Sequence, residues 1–146
     1  MPVRPMEFEA KPFASLTLSE LYELLRLRSD VFVVEQCSPY PDLDGRDPEA
    51  THLLGRLDGR LAACARWFPE GPWVVLGRIA VRPELRGGGW GKRVMEEALS
   101  HIGARPIRLH GQARLVPFYA GFGFEALGAV YDDYGVPHQA MQRGAA

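Results

Sequence analysis

Lysine is nearly missing from this chain, since Lys11 and Lys92 stand against 15 arginines. That imbalance reads as a bias of genome or habitat. Cysteine is scarce as well: Cys37 and Cys64 form neither a CxxC pair nor a disulfide framework, which suits a reducing cytoplasm and gives no reason to expect a metal. An excess of charge of one sign is also lacking. With 17 basic and 18 acidic residues the formal net charge is −1, so no global field draws the chain to nucleic acid or to an anionic membrane. Any anion must be bound locally. No apolar run approaches the roughly 18 residues of a membrane span, and the N-terminus lacks the charged-then-apolar pattern of a secretion signal. The expectation is a soluble, cytoplasmic protein. Repeats and low-complexity segments are absent, and the proline-dotted stretch 39–48 reads as a loop within one domain covering 1–146.

What is present is enough apolar residue, 47% of the chain, to bury a sizeable core. "MEFEAKPF" alternates weakly and reads as a strand that Pro12 restricts to a sheet edge. Thr17 and Glu20 stand in capping-box spacing before Leu18, Leu21, Tyr22 and Leu25, which predicts a helix over 17–32. Two strands follow, joined at Asp58-Gly59, and a third covers 73–81. A second helix runs over 91–103 with Val94, Met95, Ala98, Leu99 and Ile102 as its apolar stripe. The strand at 106–112, a short helix at 115–120 and a hairpin turning near 133–135 complete the chain. The resulting order, β-α-ββ-β-α-β-α-ββ, predicts an α/β (α+β) fold with a mixed, twisted central sheet and flanking helices.

"ELRGGGWGKRVMEEAL", at 84–99, carries the strongest chemical signal. The P-loop spacing GxxxxGK[ST] fails because 86 and 93 are both arginine, and the dinucleotide spacing GxGxxG fails as well. RxxGxG does fit, on Arg86, Gly89 and Gly91. Without Cβ atoms at Gly87, Gly88, Gly89 and Gly91, a phosphate can approach the main chain and the free N–H groups of the following helix. Arg86, Lys92 and Arg93 add local positive charge. A merely structural turn at a helix start is better served by Asp, Ser or Thr.

This loop, together with "FYAGFGF" at 118–124, resembles the GNAT superfamily of N-acetyltransferases. "LRLRSDVFVVEQ", "PYPDLDG", "HLLG", "GRIAV" and "GVPHQAM" resemble its ElaA-like branch, so the likeness spans 20–142. The resemblance implies a GNAT fold in which parallel strands 73–81 and 106–112 splay apart to receive acetyl-CoA. It places Ile79, Ala80 and Val81 along the pantetheine arm, with Arg86, Gly87, Gly88, Gly89, Trp90, Gly91 and Lys92 around the pyrophosphate. It further implies direct transfer to an amine without an acyl-enzyme, which agrees with the lack of a GxSxG motif or a Cys–His arrangement.

By the same resemblance Tyr119 is the expected general acid beside the thioester sulfur, since a phenol is protonated at neutral pH. The strand 73–81 has no Asp or Glu where many relatives carry a base. Glu35, amid apolar neighbours at a helix end, is the expected base or amine anchor, with His52, His110, His138 or a water chain as alternatives. Histidines 52 and 110 read more readily as structural. Asp42 and Asp44 form an acidic pair on the acceptor side, suited to a cationic amine or to simple loop turns. Arg78 and His138 are further acceptor-side candidates, and Gln112 replaces an Asn found in many relatives. The expected partners are acetyl-CoA and an amine of a small molecule or peptide, with monomer or homodimer left open. A non-catalytic acyl-CoA binding or sensing module is the competing function.

Overall fold

In the computed structural model, which describes residues 5–144, seven strands form one sheet. Strand β1 (Glu7–Pro12) lies at an edge, as its proline requires, and pairs antiparallel with β2 (Thr51–Leu57). Asp58 and Gly59, with φ of 53° and 76°, turn β2 into β3 (Arg60–Glu70). Both values are positive, as a tight hairpin turn demands. Next comes β4 (Trp73–Val81), antiparallel to β3. Strand β5 (Ile107–Gln112) then runs parallel to β4, reached through helix α2 (Trp90–Ile102). The terminal hairpin, β6 (Glu125–Asp133) and β7 (Val136–Arg143), is inserted so that β7 pairs with β5 and β6 forms the far edge.

Helix α1 (Leu18–Ser29) opens with the predicted capping box: Thr17 Oγ1 accepts from the Glu20 amide at 3.1 Å and the Glu20 carboxylate accepts from the Thr17 amide at 2.9 Å. The Thr17 amide, with Lys11 and Arg56, holds the Glu20 carboxyl down to about 2 against its burial. The two helices cover opposite faces of the sheet. Leu24 and Leu27 of α1 pack with Leu54, Leu61, Cys64 and Ala80, while Val94, Met95, Ala98 and Ile102 of α2 join Leu53, Ala63, Leu76 and Leu109. Neighbouring residues such as Leu53 and Leu54 therefore face opposite layers, and the middle of β3 is buried on both sides.

Two departures from regular geometry shape the site. Parallel pairing of β4 with β5 covers only Val74–Leu76 against Ile107–Leu109, after which the strands part. On the other side of β4, Cys64 lies opposite Ala80 and Arg66 opposite Gly77, so Ala65 alone faces both Arg78 and Ile79. This is a bulge, and it holds Arg78 at a φ of 51°, a left-handed conformation uncommon for a residue with a side chain.

Helix α1 is also not simply continued to Phe32, as its periodicity predicts. It widens into a π-helical segment, Asp30–Glu35, closed by a bond from the Ser38 amide to the Val33 carbonyl and by Cys37 at a φ of 49°. The loop that follows is held by arginines. Arg28, 1% exposed, donates through Nε to Asp42 at 3.0 Å, through Nη1 to Asp47 at 2.8 Å, and through Nη2 to the Asp42 carbonyl at 3.1 Å. Arg66 bonds Asp44 and Asp47 through Nη1, both at 2.9 Å. Burial pushes the Asp44 and Asp47 carboxyls up, but the guanidinium groups outweigh it and hold both below the usual range.

Replacing Arg28 with leucine leaves buried carboxylates without their partner, so the expected loss is about 3–5 kcal/mol of folding stability, read by urea denaturation. Because the Asp44 and Asp47 pKa values are depressed in the folded chain, their stabilisation is full above about pH 4 and is lost as pH falls below it. Arg28→Leu should flatten that acid limb of the stability profile.

Candidate active site

Between the parted strands lies a largely apolar cavity of about 260 Å³. Val31 and Phe32 from the π-helical turn, Ile79, Ala80 and Val81 from β4, and Tyr119 from helix α3 (Val116–Ala120) contribute to its walls. Of the loop residues singled out by motif, Arg86, Gly87, Gly89, Trp90 and Gly91 line it, whereas Gly88 and Lys92 are exposed beside it. Gly87 and Gly89 have φ of 86° and 81°, and a Cβ at either would meet nothing within 4 Å. Gly89 caps the 13-residue helix α2, so the loop combines open space with the free N–H groups of a helix start.

Tyr119 stands in the wall shared by this cavity and a smaller recess of about 80 Å³, lined also by Tyr40, Arg78, His110, Gln112 and His138. It is 6% exposed, and burial pushes its hydroxyl up to about 12 against a small opposing effect of Arg114. The phenol stays protonated across the physiological range. Gly111 makes the position available: a Cβ there would lie 2.5 Å from Tyr119 Cε2. Cys64 is unsuited to nucleophilic attack, since burial raises its thiol to about 12 and its Sγ donates to the Arg78 carbonyl at 3.4 Å.

The other expected residues are distributed differently from their motif reading. Glu35 does not line the smaller recess; it grips the Arg86 guanidinium, with one contact at 2.7 Å, and the pair lines a separate recess with Arg114. Asp42 and Asp44 do not stand as a free acidic pair; Asp44 Oδ1 accepts from the Arg46 amide at 3.1 Å, the simple loop turn that the sequence also allows. Asp42 is buried beneath Arg28 and Arg78, and Asp44 is bound by Arg66. Arg78 does border the recess, but its head is engaged: Nε lies 2.8 Å from Asp42 Oδ1, Nη1 donates to Tyr40 Oη at 2.8 Å, and Nη2 donates to the Asp42 carbonyl at 2.9 Å. His52, 1% exposed, donates from Nε2 to the Asp47 carbonyl at 3.0 Å, a structural role.

His138 and His110 both line the recess, although His110 reads as structural in the sequence. His110 Nδ1 is 2.8 Å from Tyr131 Oη. Alternation along β5 is the available signal, since His110 is exposed between buried Leu109 and buried Gly111. Phe32, Tyr40 and Tyr131 are the residues that motif reasoning missed. Their positions depend on the π-helical turn and on the docking of the terminal hairpin, where Ser38 Oγ donates to the Tyr134 carbonyl at 2.7 Å.

Parted parallel strands, a bulge and a glycine loop at a helix start define an acyltransferase architecture, and comparison with known proteins agrees. The chain matches the family description "Acetyltransferase (GNAT) domain" over residues 26–144 and belongs to that family. Protein ElaA of Escherichia coli K12 is 39% identical over 147 aligned residues, covering 94% of this chain and 96% of that protein. The crystal structure of an acyl-CoA N-acyltransferase from Pseudomonas aeruginosa superposes with a TM-score of 0.90 at 38% identity, over 96% of this chain and 100% of that one. The crystal structure of E. coli ElaA gives 0.88 at 38% identity, over 95% and 99%.

Gly111→Ala tests the placement of Tyr119. The added methyl must displace the ring, so a loss of about 1–3 kcal/mol in stability is expected by urea denaturation, relieved in the double variant Gly111→Ala, Tyr119→Leu. Additive effects of the two changes would refute the contact.

Proposed function

We propose that this chain transfers an acetyl group from acetyl-CoA directly to an amine of a small molecule or peptide. One observation carries the reading: a buried, protonated tyrosine separates an apolar cavity, which ends at a glycine-rich helix start, from a polar recess. The cavity suits a pantetheine arm lying along Ile79, Ala80 and Val81 like an added strand, where β5 no longer pairs with β4. The left-handed glycines and the N-terminus of α2 suit a pyrophosphate, with Arg86 and Lys92 at its border. When bound, acetyl-CoA supplies the activated acyl group as a thioester.

The protein's part is then positioning and proton transfer. Backbone N–H groups at the bulge polarise the thioester carbonyl, and Tyr119 donates its phenolic proton as the sulfur departs. A thiol has a pKa near 8.5, so the acid accelerates departure without being indispensable. Glu35 holds Arg86 rather than acting on the acceptor. The competing reading, an acyl-CoA sensor, predicts binding without turnover.

The decisive experiment is an acetyl-CoA turnover screen over polyamines, amino acids, aminoglycosides and peptide N-termini, accompanied by calorimetry. Gly89→Asp, which sets a charged side chain where the pyrophosphate should lie, is expected to abolish acetyl-CoA binding; unchanged affinity in the folded variant would sink the coenzyme assignment. Tyr119→Phe should keep that affinity and reduce turnover about 10- to 1,000-fold once chemistry is shown to be rate-limiting. Wild-type rates would instead make Tyr119 a packing residue. Glu35→Gln removes a negative charge beside Arg86, so acetyl-CoA should bind about two- to five-fold tighter at low salt, with the gain fading as salt rises. Weaker binding would mean that Glu35 chiefly positions Arg86.

A further inference from the structure

We infer that His138 is the general base that takes the proton from the acceptor nitrogen, an assignment that rests on the acyl-transfer reading above. His138 lies on β7, opposite Gln112 of β5 on one side and Tyr131 of β6 on the other. Its side chain borders the small recess that Tyr119 and Ile79 also line. The glycine loop lines the neighbouring cavity, which shares Tyr119 with this recess.

The ring's proton pattern follows from its partners. Nδ1 is 2.8 Å from the Val136 carbonyl oxygen, which can only accept, so Nδ1 carries the hydrogen of the neutral ring. The lone pair is therefore at Nε2. That nitrogen is 3.9 Å from Asp133 Oδ2, a carboxylate placed where positive charge appears once the ring is protonated. Tyr40, Arg78 and His110 share the recess with His138, which on its other side borders an adjoining pocket whose walls carry Asp133, Tyr131, Asp44, Glu70, Arg46 and Arg66. The cations among them are engaged, Arg78 by Asp42, Asp44 and Tyr40, Arg66 by Asp44 and Asp47, and Arg46 by Glu49. His110 pairs with the Tyr131 hydroxyl, which can donate or accept, so its own tautomer is not set by that bond.

The proton balance is complete without any further reactant. As the neutral amine attacks, the N–C bond forms and one amine proton passes to His138 Nε2. The C–S bond breaks with its electron pair on sulfur, which takes the Tyr119 proton. Solvent then carries a proton from the imidazolium to the phenolate, restoring both groups. The net change moves one proton from nitrogen to sulfur.

Single-turnover acetyl transfer by the intact protein, measured across pH with the best amine of the screen, tests this. His138→Asn is the chosen variant because an asparagine amide can keep the donor to the Val136 carbonyl while removing the nitrogen that acts as base. The expected result is a fall in kcat/KM of about 10²- to 10⁴-fold near neutral pH, unchanged acetyl-CoA affinity, and a deficit that narrows as pH rises and hydroxide takes over. Heteronuclear NMR of the neutral His138 ring should find the proton on Nδ1.

Wild-type turnover of His138→Asn at every pH overturns the assignment, as does a joint loss of turnover and acetyl-CoA binding, which marks a structural residue. A neutral ring protonated on Nε2 overturns it independently of activity. An active wild type with an equally active His138→Asn removes only the base; a wild type that binds acetyl-CoA and acetylates nothing removes the acyl-transfer reading as well.

Discussion

The site depends on the parting of β4 from β5 after Leu76 and Leu109. Parallel strands in a sheet covered by helices normally continue side by side, because each backbone N–H and C=O then has its partner. Here the ladder is interrupted in the middle of the molecule, and the gap is kept open from both sides. The bulge at Arg78 and Ile79 bends β4, and the Tyr119 ring packs over the bare α-carbon of Gly111 on β5. A strand edge exposed inside a cleft is a template for an extended ligand, and the helix start at Gly89 closes one end of it.

Arginine chemistry maintains that geometry beside the smaller recess. Arg28, Arg66 and Arg78 reach three aspartates of one loop from a helix and two strands, and planar guanidinium groups can engage carboxylate and carbonyl oxygens at once. Burying such pairs contributes little net stability compared with an apolar core, since desolvation offsets most of the attraction. What they confer is position. With Asp42 and Asp47 held by Arg28, the loop is pinned to α1, and through Asp42 the same loop engages the strained residue of the bulge. The two distortions that make the cleft, a π-helical turn and a bulge, are thereby tied to one polar cluster.

Burial also sorts the protonatable groups by what they can do. The Cys64 thiol and the Tyr119 phenol are both held protonated, the first beneath the bulge and the second at the cavity wall. Only the second lines both cavities of the candidate site. Glu35 and Arg86 are more exposed and neutralise each other at the rim, where solvent screens their pairing and leaves it exchangeable.

Local signals carried most of the architecture. The capping box at Thr17 and Glu20, the Asp58-Gly59 turn, the apolar stripe of α2 and the RxxGxG spacing are short-range patterns, and each appears in the fold at its expected place. The family resemblance rests on the same kind of pattern, because glycines in a phosphate-type loop and residues flanking a tyrosine act within one turn or strand. The partners of charged residues could not be read this way. Glu35 reads as a base or amine anchor, and its pairing with Arg86, 51 positions away, is not legible locally; Asp42 and Asp44 read as a cation site or as loop turns, and the three arginines that engage their loop come from distant elements. His110 reads as structural and His138 as a site candidate, and the insertion of β7 between β5 and β6 brings both to one recess and gives each its partner. The physical reason is range: backbone preferences and hydrophobic period are properties of neighbours in sequence, whereas a side chain's charge state and access depend on groups that meet only when distant strands pair.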